Sequence, residues 1–280
     1  GESVMADKKA DLAGPGIELN TGSNNVTIQN NHIYRNIIPY DLRAAPRLYA
    51  PGIALLGTAR ADITFNKIYS NNVGIGSPDL TGTEGTEGVI YIEGNTIHHN
   101  NVAGIGLNKQ SSTPFKSADI VGNHIYSNGG GKQRGGLRIR YAEDLKVRQN
   151  IIANNNRGGI FFEYIYNAEI DNNEMYGTEY KPIRIYNAYD LKLRQNYIHD
   201  NGHRRFADLD MQTIRDLEMY NNKIHNNDSY VYLYNLDKNV KDQNFVYKNI
   251  IETNRGGVVP SRLRYWKGLY VDQASNTVFS

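Results

Sequence analysis

One short motif recurs along most of the chain and sets what it can fold into: two strands with alternating apolar residues, joined at an asparagine. Successive copies read VTIQNNHIYRN, ADITFNKIYSN, IYIEGNTIHHN, ADIVGNHIYSN, LKVRQNIIANN, AEIDNNEMYGT, LKLRQNYIHDN, LEMYNNKIHNN and FVYKNIIETN. A third alternating segment, such as GLRIR or PIRIY, precedes most copies. Alternation indicates β-strands, and repeats this short indicate a solenoid in which each copy forms one coil.

The predicted fold is therefore all-β, a right-handed parallel β-helix of about nine to ten coils with three strands per coil. The asparagines at the second turn are expected to stack as a ladder whose amides pair with one another and with the turn backbone. They are Asn31, Asn66, Asn95, Asn123, Asn150, Asn173, Asn196, Asn222 and Asn249. A β-propeller would need about twice this spacing and four strands per unit.

The repeat divides the chain into three segments. Residues 1–13 are interpreted as a tag or N-terminal extension, residues 14–256 as the β-helix, and residues 257–280 as a capping segment that breaks the repeat. The third-strand residues that point outward are interpreted as a structural column of stacked aromatic rings. They are Tyr34, Tyr69, His98, Tyr126, Tyr176, His199 and His225.

The overall charge gives little support to nucleic acid or a membrane surface as partner. The formal net charge is +2 over 280 residues, and no apolar run approaches a membrane span. Cysteine is absent, so disulfides play no part. We expect a monomer, and a preference for an acidic ligand must come from local clustering of charge.

Stacking the first strands coil on coil brings polar outward residues onto one face, because neighbouring coils lie about 4.8 Å apart. The residues expected to bind substrate on this face or in its flanking loops are Arg138, Arg140, Tyr141, Tyr164, Arg184, His203, Arg204, Arg205, Gln212, Tyr232 and Tyr234. Insertions such as SPDLTGTEGTEG and GHRRFAD flank the same strand, so we expect a groove with this face as its floor.

Tyrosines and arginines together suit a polymer of uronic acids, since aromatic rings pack on sugars and guanidinium groups bind carboxylates. Such polymers are cleaved by β-elimination, which needs a base, an acid and a group that neutralises the carboxylate. Tyr186 is the candidate base, with its pKa expected to be lowered by Arg184 and other cations. The carboxylates Glu163, Asp208 and Asp210 either hold a divalent cation (Ca2+, Mg2+ or Mn2+) or form salt bridges with the arginines.

The repeats over roughly residues 14–255 resemble those of β-helix polysaccharide lyases. The segments IRIYN, GHRRFADLD and NNKIHNN are more narrowly similar to the small alginate lyases of polysaccharide lyase family thirty-one. That resemblance implies cleavage of alginate, with Tyr186 removing the C5 proton, Lys223 protonating the leaving oxygen, and a divalent cation neutralising the uronate. It also implies secretion, since the substrate is an extracellular polymer.

Several alternatives stay open. His203 and His199 compete with Lys223 as proton donor. A glycoside hydrolase would use two carboxylates about 5–9.5 Å apart, with Glu163 and Asp210, or Asp208 and Asp210, as candidates. A non-catalytic polysaccharide-binding module would keep the same face without a base. The sequence does not separate alginate from other uronate polymers, nor cleavage within the chain from cleavage at its end.

Overall fold

The computed structural model describes residues 14–20, 22–37, 50–57, 60–77, 88–108, 115–129, 135–202, 209–227, 231–236, 244–252, 269–272 and 277–279. Every regular element in these residues is a β-strand, and each strand pairs in parallel with its neighbours. No helix long and apolar enough to cross a membrane occurs in this part of the chain. The architecture is a parallel β-solenoid, as the repeat predicts.

The strands form three stacks along the solenoid. The first stack contains β1 (Ile17–Leu19), β4 (Pro51–Leu55), β7 (Val73–Gly76), β10 (Ala103–Asn108), β13 (Leu137–Arg148), β15 (Ile160–Asp171), β17 (Ile183–Arg194), β19 (Leu209–Tyr220), β21 (Val231–Tyr234) and β24 (Leu269–Asp272). The second stack contains β2 (Val26–Gln29), β5 (Arg60–Thr64), β8 (Val89–Glu93), β11 (Phe115–Val121), β22 (Asn244–Tyr247) and β25 (Thr277–Phe279). The third contains β3 (His32–Tyr34), β6 (Lys67–Tyr69), β9 (Thr96–His98), β12 (His124–Tyr126), β14 (Ile151–Ala153), β16 (Glu174–Tyr176), β18 (Tyr197–His199), β20 (Lys223–His225) and β23 (Ile250–Ile251).

Four coils run their first and second strands together. In β13, β15, β17 and β19 a single strand of 12 residues continues from the first stack into the second. A residue with positive φ interrupts each of these strands, as at Tyr141 (φ 58°) and Tyr164 (φ 58°). This left-handed residue turns the chain at the corner without ending the hydrogen-bonded ladder. Two strands within the expected capping segment, β24 and β25, extend the first and second stacks.

The inward residues form one apolar core along the solenoid. Ile, Leu, Val and Met at alternating positions are almost fully buried, and Phe115 and Phe162 are the largest of the buried side chains. Parallel pairing keeps equivalent positions in line, so that Ile160 lies on Ile183 and Ile183 on Leu209. Each coil therefore buries its apolar face mainly against its neighbours, as expected for a solenoid.

The predicted asparagine ladder at the second turn is present at all nine positions. At Asn173, for example, Oδ1 accepts hydrogen bonds from N and Nδ2 of Asn150 (both 3.0 Å). Its Nδ2 donates to the carbonyl oxygen of Val147 (2.8 Å) and to Oδ1 of Asn196 (3.0 Å). The preceding residue has positive φ, as at Asn172 (51°). The ladder satisfies polar groups that the sharp corner buries.

A second asparagine ladder, which the sequence analysis did not identify, follows the third stack. Its rungs are Asn36, Asn71, Asn100, Asn128, Asn155, Asn201 and Asn227, with Thr178 in the position between Asn155 and Asn201. The bonding pattern repeats that of the first ladder: the amides donate to backbone carbonyl oxygens and join successive asparagine rungs. The exception is at Thr178, where the Asn155 amide nitrogen donates, among the described residues, only to the carbonyl oxygen of Ile125. Both corners beside the third stack are thus built from the same residue type.

The predicted aromatic column is also present on the outer side of the third stack. Tyr34, Tyr69, His98 and Tyr126 stack with ring centroids 4.9–5.1 Å apart. Ala153 interrupts the column, which resumes from Tyr176 through His199 to His225. The structural interpretation of these rings is therefore confirmed.

Candidate functional site

The outer side of the first stack divides into a covered part and an open part. On β4, β7 and β10, even outward residues such as Ala54, Gly76 and Asn108 are buried. From β13 to β21 the outward side chains reach solvent, with the exception of Asp210. We call the outward residues of this second part the open floor, and it contains the charged patch that the sequence predicts.

The strand register arranges the open floor in two rows that run across the coils. One row is Arg138, Phe161, Arg184, Asp210 and Tyr232. The other row is Arg140, Glu163, Tyr186, Gln212 and Tyr234. Because the pairing is parallel and in register, residues adjacent in a row are separated by one strand spacing, about 4.8 Å.

A hydrogen-bonded chain occupies the centre of the open floor. The hydroxyl group of Tyr186 donates to Oδ2 of Asp210 (2.9 Å), and Nε of Arg184 donates to the Tyr186 oxygen (2.6 Å). The same Oδ2 of Asp210 forms an ion pair with Nζ of Lys181, which precedes β17. Nε2 of Gln212 donates to the other carboxylate oxygen, Oδ1 (2.7 Å). The Asp210 side chain is 1% exposed, so its charge depends on these partners.

The expected lowering of the Tyr186 pKa is wrong. Burial and the charge of Asp210 raise the pKa of this phenol to about 12, and the opposing effect of Arg184 is smaller. The prediction rested on the nearby arginines, whereas the Tyr186 hydroxyl group donates to a buried carboxylate. At neutral pH Tyr186 keeps its proton and is poised between a proton acceptor, Asp210, and a cation, Arg184.

Aromatic rings and guanidinium groups alternate around the hydrogen-bonded chain at the centre of the open floor. The Phe161 ring lies between the guanidinium groups of Arg138 (5.5 Å) and Arg184 (5.0 Å). At the corner beside β13 and β15, Tyr141 and Tyr164 stack at 4.8 Å with nearly parallel rings. Contacts of this kind hold charged side chains in fixed orientations at a partly exposed surface.

Comparison with known families assigns the fold independently. A model of the right-handed β-helix region matches residues 8–134 and 85–241 of the chain. The chain belongs to the right-handed β-helix family. Neither the curated proteins nor the solved structures contain a significant match to it. The family of this β-helix protein is compatible with activity on polysaccharides and gives no support to one substrate over another.

The carboxylates expected to bind a divalent cation are engaged with other groups. Oε2 of Glu163 is paired with Nε of Arg140 (2.7 Å), and Asp210 is held by Lys181 and Tyr186. Within the described ranges, no cluster of three or more histidine, aspartate or glutamate residues has a geometry that could hold a metal ion. Asp208, the third of these carboxylates, lies outside the described residues, so a divalent cation (Ca2+, Mg2+ or Mn2+) stays a prediction, and we assign no step of a reaction to it.

The structure does not bring the resemblance-based proton donor to the open floor. Lys223 begins β20 in the third stack, where it pairs with Tyr197 and its Nζ lies 5.5 Å from the Tyr197 ring centroid. His199 lies in the same stack and contacts Glu174 and Asp200. Tyr186 belongs to the first stack, which forms a different side of the coil. Lys223 and His199 thus lack the proximity to Tyr186 that a shared reaction would need.

Other predicted residues lie outside the described part of the chain. These are His203, Arg204, Arg205 and Asp208, together with most residues of the insertions expected to form groove walls. Two residues of the site that the structure does describe, Lys181 and Phe161, were not predicted as site residues from the sequence. Lys181 precedes its strand, so alternation carried no signal for it, whereas Phe161 was recognisable as an outward residue beside Arg138 and Arg184.

Proposed function

We propose that this β-helix protein is a polysaccharide lyase that cleaves a uronate polymer, with alginate as the first candidate, by β-elimination on the open floor. The observation that carries the proposal is the continuous chain of polar contacts from Arg184 through Tyr186 and Asp210 to Lys181. This chain joins a cation, a phenol, a carboxylate and an ammonium group at the centre of a surface lined by arginines and tyrosines.

The surface suits an acidic sugar polymer rather than a neutral one. Arginines bind carboxylates through two parallel hydrogen bonds, and tyrosine rings pack against the C–H groups of sugars. Tyr232 and Tyr234 extend the open floor beyond Gln212, with ring centroids 6.0 Å apart. A polymer lying along the coils would meet both kinds of group. A substrate of this kind is found outside the cell, so we also propose that the protein acts there.

The reaction needs a proton to leave C5 of one sugar and another to reach the departing oxygen at C4. In the proposed step, Tyr186 Oη accepts the C5 proton while its own proton passes to Oδ2 of Asp210. The electron pair of the C5–H bond forms the C4=C5 double bond, and the pair of the C4–O bond leaves with oxygen. Because the phenol gains one proton as it loses another, its high pKa does not prevent the transfer.

Lys181 completes the proton path. Its ammonium group pairs with Oδ2 of Asp210, the same carboxylate oxygen that accepts the hydrogen bond from Tyr186, so one oxygen connects the two groups. We propose that Lys181 protonates the leaving oxygen and then regains a proton from Asp210, which restores the starting state. The exposed Arg184 neutralises the carboxylate of the reacting sugar, since its Nε already contacts the Tyr186 oxygen.

The test is the ultraviolet absorbance of the unsaturated product when the protein is mixed with polymannuronate. Tyr186→Phe, Asp210→Asn and Lys181→Met should each reduce the rate by at least about a hundredfold. The double variant Tyr186→Phe/Asp210→Asn should be no slower than either single variant, because the two residues act as a unit.

The matched control is Tyr189→Phe, which removes a phenol that stacks on Tyr166 away from the open floor. It should leave the rate unchanged. An Asp210→Asn variant that stays fully active would contradict the proton path, since in that case Tyr186 would act without its carboxylate partner. If neither polymannuronate nor any other uronate polymer yields an unsaturated product, the lyase proposal itself is refuted.

The second candidate function is binding of an acidic polysaccharide without cleavage. It is favoured by the pairing of Asp210 with Lys181 and by the pKa of Tyr186, which lies far above neutrality. Saturable binding of polymannuronate with no unsaturated product would support it. A glycoside hydrolase is less well supported, because Asp210 is buried and ion-paired and Glu163 is paired with Arg140.

A further inference from the structure

Arg138 differs from the other cations of the open floor in its contacts. Arg140 is paired with Glu163, and Lys181 is paired with Asp210. Arg184 donates to Tyr186. Among the described residues, the side chain of Arg138 forms no hydrogen bond or ion pair, and its Nη1 atom is buried without a partner. Buried polar groups of this kind are uncommon and call for an explanation.

The neighbours of Arg138 hold its guanidinium group in place without satisfying it. On one side the group lies 5.5 Å from the centroid of the Phe161 ring. On the other side its strand neighbour is Gly106, which has no side chain. Neither neighbour in the row accepts a hydrogen bond through a side chain, and Phe161 separates Arg138 from Arg184. The positive charge is therefore positioned but not neutralised within the described part of the chain.

The strand order sets how far Arg138 lies from the reacting centre. Arg138 is on β13 and Tyr186 is on β17, with β15 between them. Two strand spacings amount to about 10 Å. A carboxylate bound by Arg138 would then belong to a different sugar from the one whose proton reaches Tyr186. β13 also adjoins the covered part of the first stack, so Arg138 stands at the end of the open floor.

We propose that Arg138 binds the carboxylate of a uronate residue remote from the reacting sugar, and so selects polymers that carry a charge on successive sugars. The ligand class rests on the proposed function, but the binding itself does not require cleavage. Contacts to remote sugars can hold a polymer in register while the chemistry proceeds elsewhere, which is one way in which binding energy assists a reaction.

The test compares the affinities of two ligands by calorimetry. One is the mannuronate hexasaccharide and the other is the same hexasaccharide with its carboxyl groups reduced to alcohols. All proteins carry Tyr186→Phe, so that the ligand stays intact. Arg138→Met keeps an apolar stem on Phe161 and should weaken binding of the charged ligand by about 10- to 100-fold. Binding of the reduced ligand should change by less than about twofold.

Two further variants separate charge from geometry. Arg138→Lys keeps the charge but loses the paired donors, so an intermediate loss is expected. Arg215→Met is the matched control, because this guanidinium also stacks on a ring, that of Tyr189 (4.9 Å), outside the open floor. It should leave both affinities unchanged.

A combined variant tests the remote position. If Arg138 and Arg184 bind carboxylates of different sugars, the fold-losses of Arg138→Met and Arg184→Met should multiply in the double variant. Because both guanidinium groups contact Phe161, any coupling seen with the reduced hexasaccharide is subtracted first. A double variant no weaker than the more damaging single variant would mean that both residues bind one carboxylate, and would overturn the proposal. So would an equal loss for both ligands, or no loss in Arg138→Met.

The outcomes also distinguish this inference from the proposed function. Arg138-dependent binding of the charged hexasaccharide, with no unsaturated product from the wild-type protein, would refute the lyase and keep the remote site. Unsaturated product with no effect of Arg138→Met would refute the remote site and keep the lyase. No binding of any uronate by the wild-type protein would refute both.

Discussion

The second asparagine ladder has one position at which an asparagine is missing, and restoring it should stabilise the protein. Thr178 stands where the other described coils from Asn36 to Asn227 have asparagine. Its hydroxyl oxygen is buried and has no hydrogen-bond partner among the residues that the structure describes. The backbone N–H of Asn155 also has no partner among the described residues, whereas that of Asn128 donates to Asn155 (3.0 Å).

The coil has room for the larger side chain. From Asn36 to Asn155, each asparagine amide of this ladder lies beside a glycine near the start of a first-stack strand. In the preceding coil, Nδ2 of Asn155 lies only 3.1 Å from where a Cβ atom on Gly136 would be. Gly159 is the equivalent glycine beside Thr178, and the atoms nearest to its Cβ position belong to Pro182 and Ile152. We therefore expect Thr178→Asn to be accommodated with the same geometry as its neighbours.

The gain follows from the bonds of the existing rungs. The new Oδ1 would accept from N and Nδ2 of Asn155, as Asn155 accepts from Asn128 (3.0 and 3.1 Å). The new Nδ2 would donate to the carbonyl oxygen of Ile152 and to Oδ1 of Asn201. At about 0.5–1.5 kcal/mol for each bond, less the cost of ordering and desolvating the amide, the net gain is about 1–3 kcal/mol. For a chain of this size the melting temperature should rise by roughly 2–10 °C.

The assay is thermal and urea unfolding followed by circular dichroism. Thr178→Val is the control, because it removes the unsatisfied hydroxyl group without adding a rung. The valine variant should be close to the wild-type protein or slightly more stable, and Thr178→Asn should exceed both. If Thr178→Asn is no more stable than Thr178→Val, the hydrogen bonds of an added rung do not stabilise the fold.

Three further predictions concern described residues. Asn173→Ala in the first ladder should destabilise the fold by about 2–5 kcal/mol in urea unfolding, since it strips partners from two donors and two acceptors, and a loss under about 1 kcal/mol would contradict this. Burial lowers the pKa of His98 from 6.5 to about 4, so its neutral form stabilises the fold above pH 6.5 and this contribution disappears as the pH falls toward 4. His98→Tyr should flatten the fall in melting temperature over that interval, and an unchanged slope would refute the assignment. Burial and Asp210 raise the pKa of Tyr186 to about 12, so Asp210→Asn should lower it, as measured by tyrosinate absorbance against a Tyr186→Phe reference.

The first asparagine ladder and the apolar core are the features that the sequence predicts most completely. The first ladder was predicted at each of its nine positions, because a rung depends only on a local corner and on the same corner in the next coil. The second ladder was present in the same sequence, as in Asn100 and Asn128 at the ends of their motif copies, but the prediction covered only the asparagine that joins the two strands of the motif. Both are nearest-neighbour features, and such features can be read from a repeat.

The open floor was predicted in its membership and not in its contacts. Alternation places Arg138, Arg184 and Tyr186 on one face, and the register confirms that placement. Alternation does not say which donor meets which acceptor. Burial and the charge of Asp210 reverse the expected pKa shift of Tyr186. The ion pair that holds Asp210 in place depends on Lys181, a residue outside the strand pattern.

The sequence by itself thus determined the solenoid, the inward core, the first asparagine ladder and the face on which the charged residues lie. These depend on a period of two along the strand and on a repeated register between coils, both of which are written in the residue order. Only the tertiary structure decided that β4, β7 and β10 are covered, that Lys223 lies on another side of the coil, and that no described residue accepts a hydrogen bond from the Arg138 side chain. Burial and side-chain hydrogen bonds depend on packing and side-chain geometry in three dimensions, which the alternating pattern does not specify.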